Sequence, residues 1–233
     1  MDTPDDRPRN PGRLIELQVA DDPEAWVAAG FAVDGDLVRI GGVAIRLTGT
    51  DTDGGSGITG WTLAGVAVAE GSLDGLATAV LDEPDGGRAD PVHPNGTIGL
   101  DHVVVLTPDL DRTIQACEAA GLELRRIRDT TGNGSPMRQA FFKLGSVVLE
   151  VVSGDVGIGM PVAEAPATFW GLAVDVDDLD ATAKAMGDGL GRVKTAVQRG
   201  RRIATIRTRD LGISVAIAAM DRRADRTASD DDR

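Results

Sequence analysis

Two stretches of the sequence, 69 positions apart, share the order of a short apolar strand, an aspartate-containing turn and an amphipathic helix. The first starts at Leu100–Leu106 (LDHVVVL), and the second lies in Trp170–Ala181 (WGLAVDVDDLDA). Asp109 is predicted to cap the first helix and Gly121 to end it. Five of thirteen aligned positions are identical: Val105/Val174, Asp109/Asp178, Leu110/Leu179, Asp111/Asp180 and Thr113/Thr182. Such a repeat restricts the chain to folds built from copies of one unit.

Three more strands are predicted after the first helix. They cover Leu122–Arg128, Met137–Lys143 and Ser146–Val152, which are rich in apolar residues. Leu144-Gly145 is predicted as the tight turn between the last two strands, and it recurs as Leu211-Gly212. Each unit is therefore predicted as β-α-β-β-β, which places the chain in the α+β class.

The N-terminal half contains fainter copies of the unit. Leu14–Ala20 (LIELQVA) is predicted as a strand, and the following DPEAWVAAG as a helix. The phrase at Trp61 (WTLA) is similar to that at Trp170 (WGLA), and it precedes SLDGLATAVL, which is predicted as another helix. The two tryptophans are predicted to pack between modules, or Trp170 to form a pocket wall.

The pattern divides the chain into five parts. Residues 1–12 and 221–233 are rich in Pro, Asp or Arg without apolar periodicity, and they are predicted to be disordered termini. Degenerate modules are expected in 13–86 and the better pair in 99–220, with 87–98 as a linker of turn-forming residues.

Composition excludes several function classes. The net charge is −13 and the basic residues are dispersed, which argues against a nucleic-acid partner. No apolar run is long enough for a membrane span, and Met1–Gly12 lacks the apolar core of a signal peptide, so a cytoplasmic protein is expected. The single cysteine, Cys117, excludes an internal disulfide and a cysteine zinc cage, and there are only two histidines, His93 and His102.

Several polar side chains are candidates for a site. Glu150 interrupts the apolar run VVLEVV, where an inward carboxylate is costly unless it is paired or ligated. If Leu144-Gly145 closes the turn, Gln139 lies opposite Glu150, and Gln139 and Phe141 share its face. The run RRIATIR is predicted to turn one of Arg201 and Arg202 inward, and Arg202 is our candidate anchor for an anionic substrate. The alternative for these arginines is an exposed charged face.

Three segments of the sequence resemble the vicinal oxygen chelate superfamily, namely LDHVVVLTPDLDRT, RQAFFKLGSVVLEVV and FWGLAVDVDDLDAT. This superfamily includes glyoxalase I, extradiol dioxygenases and bleomycin-resistance proteins, and the chain looks most like its poorly characterised bacterial glyoxalase-like members. The resemblance implies repeated βαβββ modules that form curled, mostly antiparallel, cup-like sheets with helices outside. It also implies a homodimer.

The resemblance implies a divalent metal in the cup, held by residues on the first and last strand of each module. The positions in the first module are His102 and Glu150, whose imidazole and carboxylate suit Fe, Mn, Ni or Zn. The positions in the second module align with Gly171 and Ile217, which cannot bind a metal. A further ligand would come from Gln139, from His93 or from a neighbouring subunit.

Three functions follow from the resemblance and stay open at this point. The first is a glyoxalase-like lyase, isomerase or dioxygenase that acts on a small oxygenated metabolite, with His102 and Glu150 as catalytic residues and metal ligands. In it, Gln139, Phe141, Arg202 and Trp170 would bind substrate and the metal would act as a Lewis acid. The second is a metal-free small-molecule binder of the bleomycin-resistance kind. The third is a degenerate, non-catalytic module.

Overall fold

The computed structural model describes residues 12–50, 55–81, 89–132, 134–154 and 164–222. The predicted disordered termini therefore lie almost wholly outside the described residues. The N-terminal strands are β1 (Arg13–Val19), β2 (Val33–Asp34), β3 (Leu37–Ile40), β4 (Val43–Leu47), β5 (Ile58–Ala64), β6 (Ser72–Leu73) and β7 (Leu76–Leu81). The C-terminal strands are β8 (Thr97–Leu106), β9 (Glu123–Gly132), β10 (Ser135–Leu144), β11 (Val147–Gly154), β12 (Thr168–Val176), β13 (Lys194–Thr195), β14 (Arg202–Thr205) and β15 (Ala216–Asp221). The α-helices are α1 (Pro23–Ala28), α2 (Leu110–Ala119) and α3 (Leu179–Met186), and short 3-10 helices cover Gly187–Gly189 and Thr208–Leu211.

The strands form two open sheets of mixed direction. The first has the order β2-β3-β4-β1-β5-β7-β6, and the second has the order β13-β14-β15-β12-β8-β11-β10-β9. Most neighbouring strands are antiparallel, whereas the first and last strand of each module pair in parallel, as β8 does with β11 and β12 with β15. The predicted α+β class with cup-like sheets is confirmed.

In the second sheet, two βαβββ modules meet at their first strands. Strand β8 pairs with β12 in antiparallel register, with Val104 opposite Gly171 and His102 opposite Ala173. Adding 69 to the number of the β8 residue in either pair gives the β12 residue of the other pair. The sequence repeat has the same offset of 69 residues. The modules are therefore related by an approximate two-fold axis between β8 and β12.

Helix starts follow the predicted caps. The Asp109 carboxylate accepts the N–H of Arg112 at the start of α2, and the Asp178 carboxylate accepts the N–H of Asp180 and Ala181 at the start of α3. Both helices turn apolar residues inward, including Ile114 and Leu179.

One continuous apolar cluster joins both sheets and the inner faces of the helices. It includes Leu17, Trp61, Val103, Leu149 and Leu172. Trp61 is buried and its ring meets that of Phe169 edge to face at 5.1 Å between centroids, so β5 of the first sheet packs on β12 of the second. Cys117 is buried in this cluster, and burial raises the pKa of its thiol to about 12. This thiol is an inert packing residue.

The prediction of a helix at SLDGLATAVL is wrong, because this segment forms the hairpin of β6 and β7. The turn contains Asp74 and Gly75, both with positive φ, which a helix interior does not allow. The Asp74 carboxylate accepts hydrogen bonds from Arg112 and Thr113 of α2. The tertiary contact with α2 therefore stabilises a turn where the local sequence favours a helix.

His93 lies between the two sheets and not in the cup. It is 4% exposed. Its Nδ1 accepts the N–H of Ala32 at 3.0 Å and its Nε2 donates to the carbonyl oxygen of Arg39 at 2.9 Å. These partners require a neutral ring with its proton on Nε2, and burial lowers the pKa of His93.

We expect His93→Ala to destabilise the protein by about 1–3 kcal/mol at pH 7.5, because the partly buried N–H of Ala32 and carbonyl of Arg39 lose their partner. The lowered pKa means that the unfolded chain binds more protons, so the contribution of His93 is full above pH 6.5 and is lost as pH falls below it. Urea unfolding should show a smaller difference in the free energy of unfolding between wild type and variant at pH 5 than at pH 7.5. A difference that stays constant between the two pH values would contradict this assignment.

Candidate active site

A β-bulge places two polar residues of β8 on the same side of the second sheet. Leu100 pairs with Val174 and His102 with Ala173, so Asp101 is the extra residue. A bulge interrupts the alternation of side chains, which lets neighbours point the same way. The Asp101 Oδ1 atom lies 3.6 Å from His102 Nδ1. The approximate two-fold axis places a matching irregularity at Trp170, between Phe169 and Gly171.

The structure brings His102, Glu150 and Gln139 together on this face. His102 Nε2 lies 3.6 Å from Glu150 Oε2, and Gln139 Nε2 donates a hydrogen bond to Glu150 Oε1 at 2.5 Å. The side chains of His102 and Glu150 are 13% and 16% exposed. Gln139 Oε1 is buried and has no hydrogen-bond partner within the described ranges. A buried acceptor without a partner is uncommon in folded proteins and points to a missing ligand or cation.

Burial raises the pKa of Glu150, opposed by the neighbouring His102 and Arg128 and by the hydrogen bond from Gln139. The ionised form is therefore costly in this environment. A carboxylate of this kind gains strongly from a cation placed beside it.

Asp101 connects the site to a buried ion-pair network. Its Oδ2 accepts a hydrogen bond from Arg201 Nη1 at 2.7 Å, and Arg201 also donates to the Asp175 carboxylate and to the backbone oxygen of Asp221. The Asp101 side chain is fully buried. Asp101 thus places a negative charge on the Nδ1 side of His102, which favours a proton on Nδ1. The Nε2 atom then carries the lone pair that can accept a proton or bind a cation.

The hairpin register differs from the predicted one, but the shared face is unchanged. The turn lies at Gly145 and Ser146, not at Leu144-Gly145, and Leu144 pairs with Val147. Phe141 therefore faces Glu150, and Gln139 faces Val152. A shift of two positions keeps the alternation of side chains, so both residues still lie on the face of Glu150.

The second module contributes no polar donor at the equivalent positions. The two-fold relation makes Gly171 the counterpart of His102, as predicted. Gly171 pairs with Ala216 as His102 pairs with Val148, so the counterpart of Glu150 is Ala218. The predicted alignment of Glu150 with Ile217 is wrong by one residue, and Ile217 belongs to the apolar core on the other face.

Arg202 does not join this group. Arg202 lies on the helix side of the sheet, where its guanidinium pairs with Asp180 at 2.9 Å and Asp221 at 2.8 Å. Arg201 is the arginine whose side chain points inward, and its guanidinium forms salt bridges with Asp101 and Asp175. Trp170 is 41% exposed, whereas Trp61 is buried, so the two tryptophans have different environments.

Sequence analysis missed Asp101, Arg126 and Arg128. Asp101 directly precedes His102, and only the bulge in β8 brings it into the site. Arg126 and Arg128 alternate along the predicted strand Leu122–Arg128, and this spacing places both on one face.

The donor set is one imidazole, one carboxylate and one amide. No group of three or more His, Cys, Asp and Glu residues suited to a metal occurs in the part of the chain that the structure describes. A third donor to a metal ion would therefore have to be the Gln139 oxygen or a group from outside these residues. The fold and this site define a paired-module βαβββ protein with nitrogen and oxygen donors in its cup.

Residues 101–205 match the sequence profile of the Glyoxalase/Bleomycin resistance protein/Dioxygenase superfamily. No curated protein matches the chain. The chain therefore carries a domain of this superfamily, also called the vicinal oxygen chelate superfamily, and the resemblance seen in the sequence is confirmed.

Solved structures share the fold over most of the chain. A variant of 4-hydroxymandelate synthase from Streptomyces coelicolor is 17% identical with a TM-score of 0.61, and the match covers 94% of each chain. The Mn(II)-bound glyoxalase from Novosphingobium aromaticivorans is 14% identical with a TM-score of 0.55, over 90% of this chain and 81% of that one. An extradiol ring-cleaving dioxygenase from B. fuscum is 12% identical with a TM-score of 0.55, over 93% and 75%.

Across the described residues, no helix is both long and apolar enough to cross a membrane.

Proposed function

We propose that this protein is an enzyme that acts on a small oxygenated molecule in the cup of the second sheet, with a divalent cation held by His102, Glu150 and Gln139. The observation that carries the proposal is the buried Gln139 Oε1, which lacks a partner among the described residues and lies beside the His102–Glu150 pair. Its chemistry would be that of a lyase, isomerase or dioxygenase.

The donor atoms fit the proposed cation. One nitrogen and two oxygen donors suit Mn, Fe, Ni or Zn. The three residues lie on β8, β10 and β11, which are close in the same sheet. The Mn(II)-bound glyoxalase with the same fold supports the choice of a divalent ion.

The residues of the chain have distinct roles in this proposal. When bound, the cation acts as a Lewis acid that polarises a substrate carbonyl or hydroxyl oxygen. The Asp101 carboxylate, 3.6 Å from His102 Nδ1, favours through its charge a ring with the proton on Nδ1. Phe141 faces Glu150 across the hairpin and forms an apolar wall next to the donors. Gln139 holds the Glu150 carboxylate by its amide hydrogen bond, and its buried, unpartnered Oε1 would be the third donor to the cation.

A metal-free binding protein is the second candidate. Gly171 and Ala218 leave the second module without ligands, which favours it. A small apolar patch of Val104, Leu106 and Val152 on the cup side would bind a ligand without any ion. This protein would keep its ligand affinity in the presence of a chelator.

The test is metal retention. After loading with Mn, Fe, Ni or Zn and desalting, the wild-type protein is expected to keep about one ion per chain. His102→Ala and Glu150→Ala should each weaken binding by at least about 100-fold, and Gln139→Leu by about tenfold, since even outer residues of metal sites contribute factors of 10–100. Elemental analysis and competition with a metal-sensitive dye measure these changes.

Glu118→Gln is the matched control, because Glu118 is an exposed carboxylate on α2. It should retain as much metal as the wild type. If the wild type keeps no ion, or if all variants keep it equally, the chelate function is excluded and the metal-free binder replaces it.

A further inference from the structure

The edge strand of the cup carries two arginines beside the proposed site. In the ladder between β9 and β10, Arg126 faces Phe141 and Arg128 faces Gln139. Since directly opposed residues share a face, both guanidinium groups lie on the face of Gln139 and Phe141. Phe141 in turn faces Glu150, so a single row across three strands runs from Glu150 through Phe141 to Arg126.

Neither arginine is held in a salt bridge within the residues that the structure describes, whereas the neighbouring Arg125 pairs with Glu123 at 2.6 Å. Arg128 acts on the Glu150 carboxylate through its charge alone. On the other face of β10, Arg138 pairs with Asp111 at 3.2 Å. Arg126 instead stacks on the Phe141 ring, with its Cζ 4.8 Å from the centroid. Stacking holds the guanidinium plane in place while its N–H donors stay available.

The charges along this edge favour an anion. Arg126 and Arg128 carry two positive charges on the face where Glu150 carries one negative charge when ionised. A cation held by the proposed donors would add positive charge to the same cup. A guanidinium fork matches the two oxygens of a carboxylate.

An apolar surface lies next to these polar groups. Val104, Leu106 and Val152 form a small buried cluster with Met137 packed against it, separate from the main core. Val152 faces Gln139 across the hairpin, and Leu106 pairs with Val152. The cup therefore has arginines along its edge strand and a short apolar floor next to them.

We propose that the substrate is a small carboxylate with a short apolar chain, and that Arg126 and Arg128 bind its carboxylate group. This inference rests on the proposed function, because it places the substrate in the same cup. It assigns the substrate class and two specificity residues, neither of which a metal site alone determines.

The test is binding of 2-oxobutanoate and its neutral counterpart, 2-oxobutanamide, measured by calorimetry and by amide chemical shifts with and without EDTA. The carboxylate is expected to bind at least about tenfold more tightly than the amide, because only it forms charge-assisted hydrogen bonds. Arg126→Gln and Arg128→Gln should each remove most of this preference, and the double variant should remove all of it. Thermal unfolding of each variant verifies that it is folded.

Arg138→Gln is the control, because Arg138 neighbours Gln139 on the same strand but pairs with Asp111 outside the cup. It should keep the carboxylate preference. Equal binding of the two probes, no binding of either, or a preference unchanged in the double variant would overturn the inference. The EDTA arm separates the two proposals: carboxylate preference in a protein that retains no ion overturns only the metal function. Ion retention without that preference overturns only the substrate class.

Discussion

Arg201→Met should lower the free energy of unfolding by about 3–5 kcal/mol, the largest effect that we expect from one substitution. The guanidinium of Arg201 is 7% exposed and faces two carboxylates, Asp101 and Asp175. Methionine keeps much of the side-chain volume but removes the charge, so the buried Asp101 carboxylate and the partly buried Asp175 carboxylate lose their common cation. Urea unfolding followed by tryptophan fluorescence measures the change.

The adjacent arginine provides a matched control. Arg202 also forms two carboxylate pairs, with Asp180 and Asp221, but its side chain is 42% exposed. Exposed pairs are screened by water and contribute little, so Arg202→Met should cause a much smaller loss. Similar losses in the two variants would show that burial does not determine the strength of this network. The Arg201 variant should also bind metal more weakly, because Asp101 loses the cation that holds its carboxylate beside His102.

The second large effect is expected at Gly171. A Cβ atom at this position would lie 2.5 Å from the carbonyl oxygen of Ala216, and backbone cannot move away as a flexible side chain can. We expect Gly171→Ala to destabilise the protein by about 2–3 kcal/mol, the upper part of the range typical of overpacked interiors. Urea unfolding is again the measurement.

Gly189→Ala is the control, since a Cβ atom there would meet only the side chains of Leu211 at 3.7 Å and Met186 at 3.9 Å, which are ordinary contacts. Its effect should be well below that of Gly171→Ala. A histidine at position 171 would meet the same backbone oxygen, so Gly171→His should destabilise the protein and should not add a metal ligand. A stable Gly171→His variant with increased metal affinity would contradict this view of the second module.

Much of the fold follows from local sequence rules. The strand and helix order of the two C-terminal modules, and the Asp109 and Asp178 caps, result from short-range patterns of apolar and capping residues. The shared face of Gln139, Phe141 and Glu150 was also predictable, because a shift of two positions in the strand pairing leaves the alternation of side chains unchanged. His102 and Glu150 lie within 3.6 Å of each other, on the neighbouring strands β8 and β11.

The remaining features depend on contacts between distant segments. The bulge at Asp101 arises where β8 meets β12, about 70 residues later, and no local pattern marks it. Asp74 forms its turn because Arg112 and Thr113 of α2 bind its carboxylate. Which of Arg201 and Arg202 points inward depends on which of the two lies next to Asp101 in the folded sheet, and that residue is Arg201. Sequence spacing gives the candidates in such cases, and tertiary packing selects among them.

The unequal modules have a mechanical consequence for the cup. The three proposed donors belong to one module, so their mutual distances do not depend on where the other module lies. The counterparts of His102 and Glu150 in the other module are small residues, Gly171 and Ala218, and they supply space instead of donors. A larger side chain at Ala218 would narrow this space from the other module, whereas one at Ala173 would meet His102, which it faces across the β8–β12 ladder. Under the proposed function, a substitution at Ala218 would therefore change the size of the accepted molecule and leave the three donors in place.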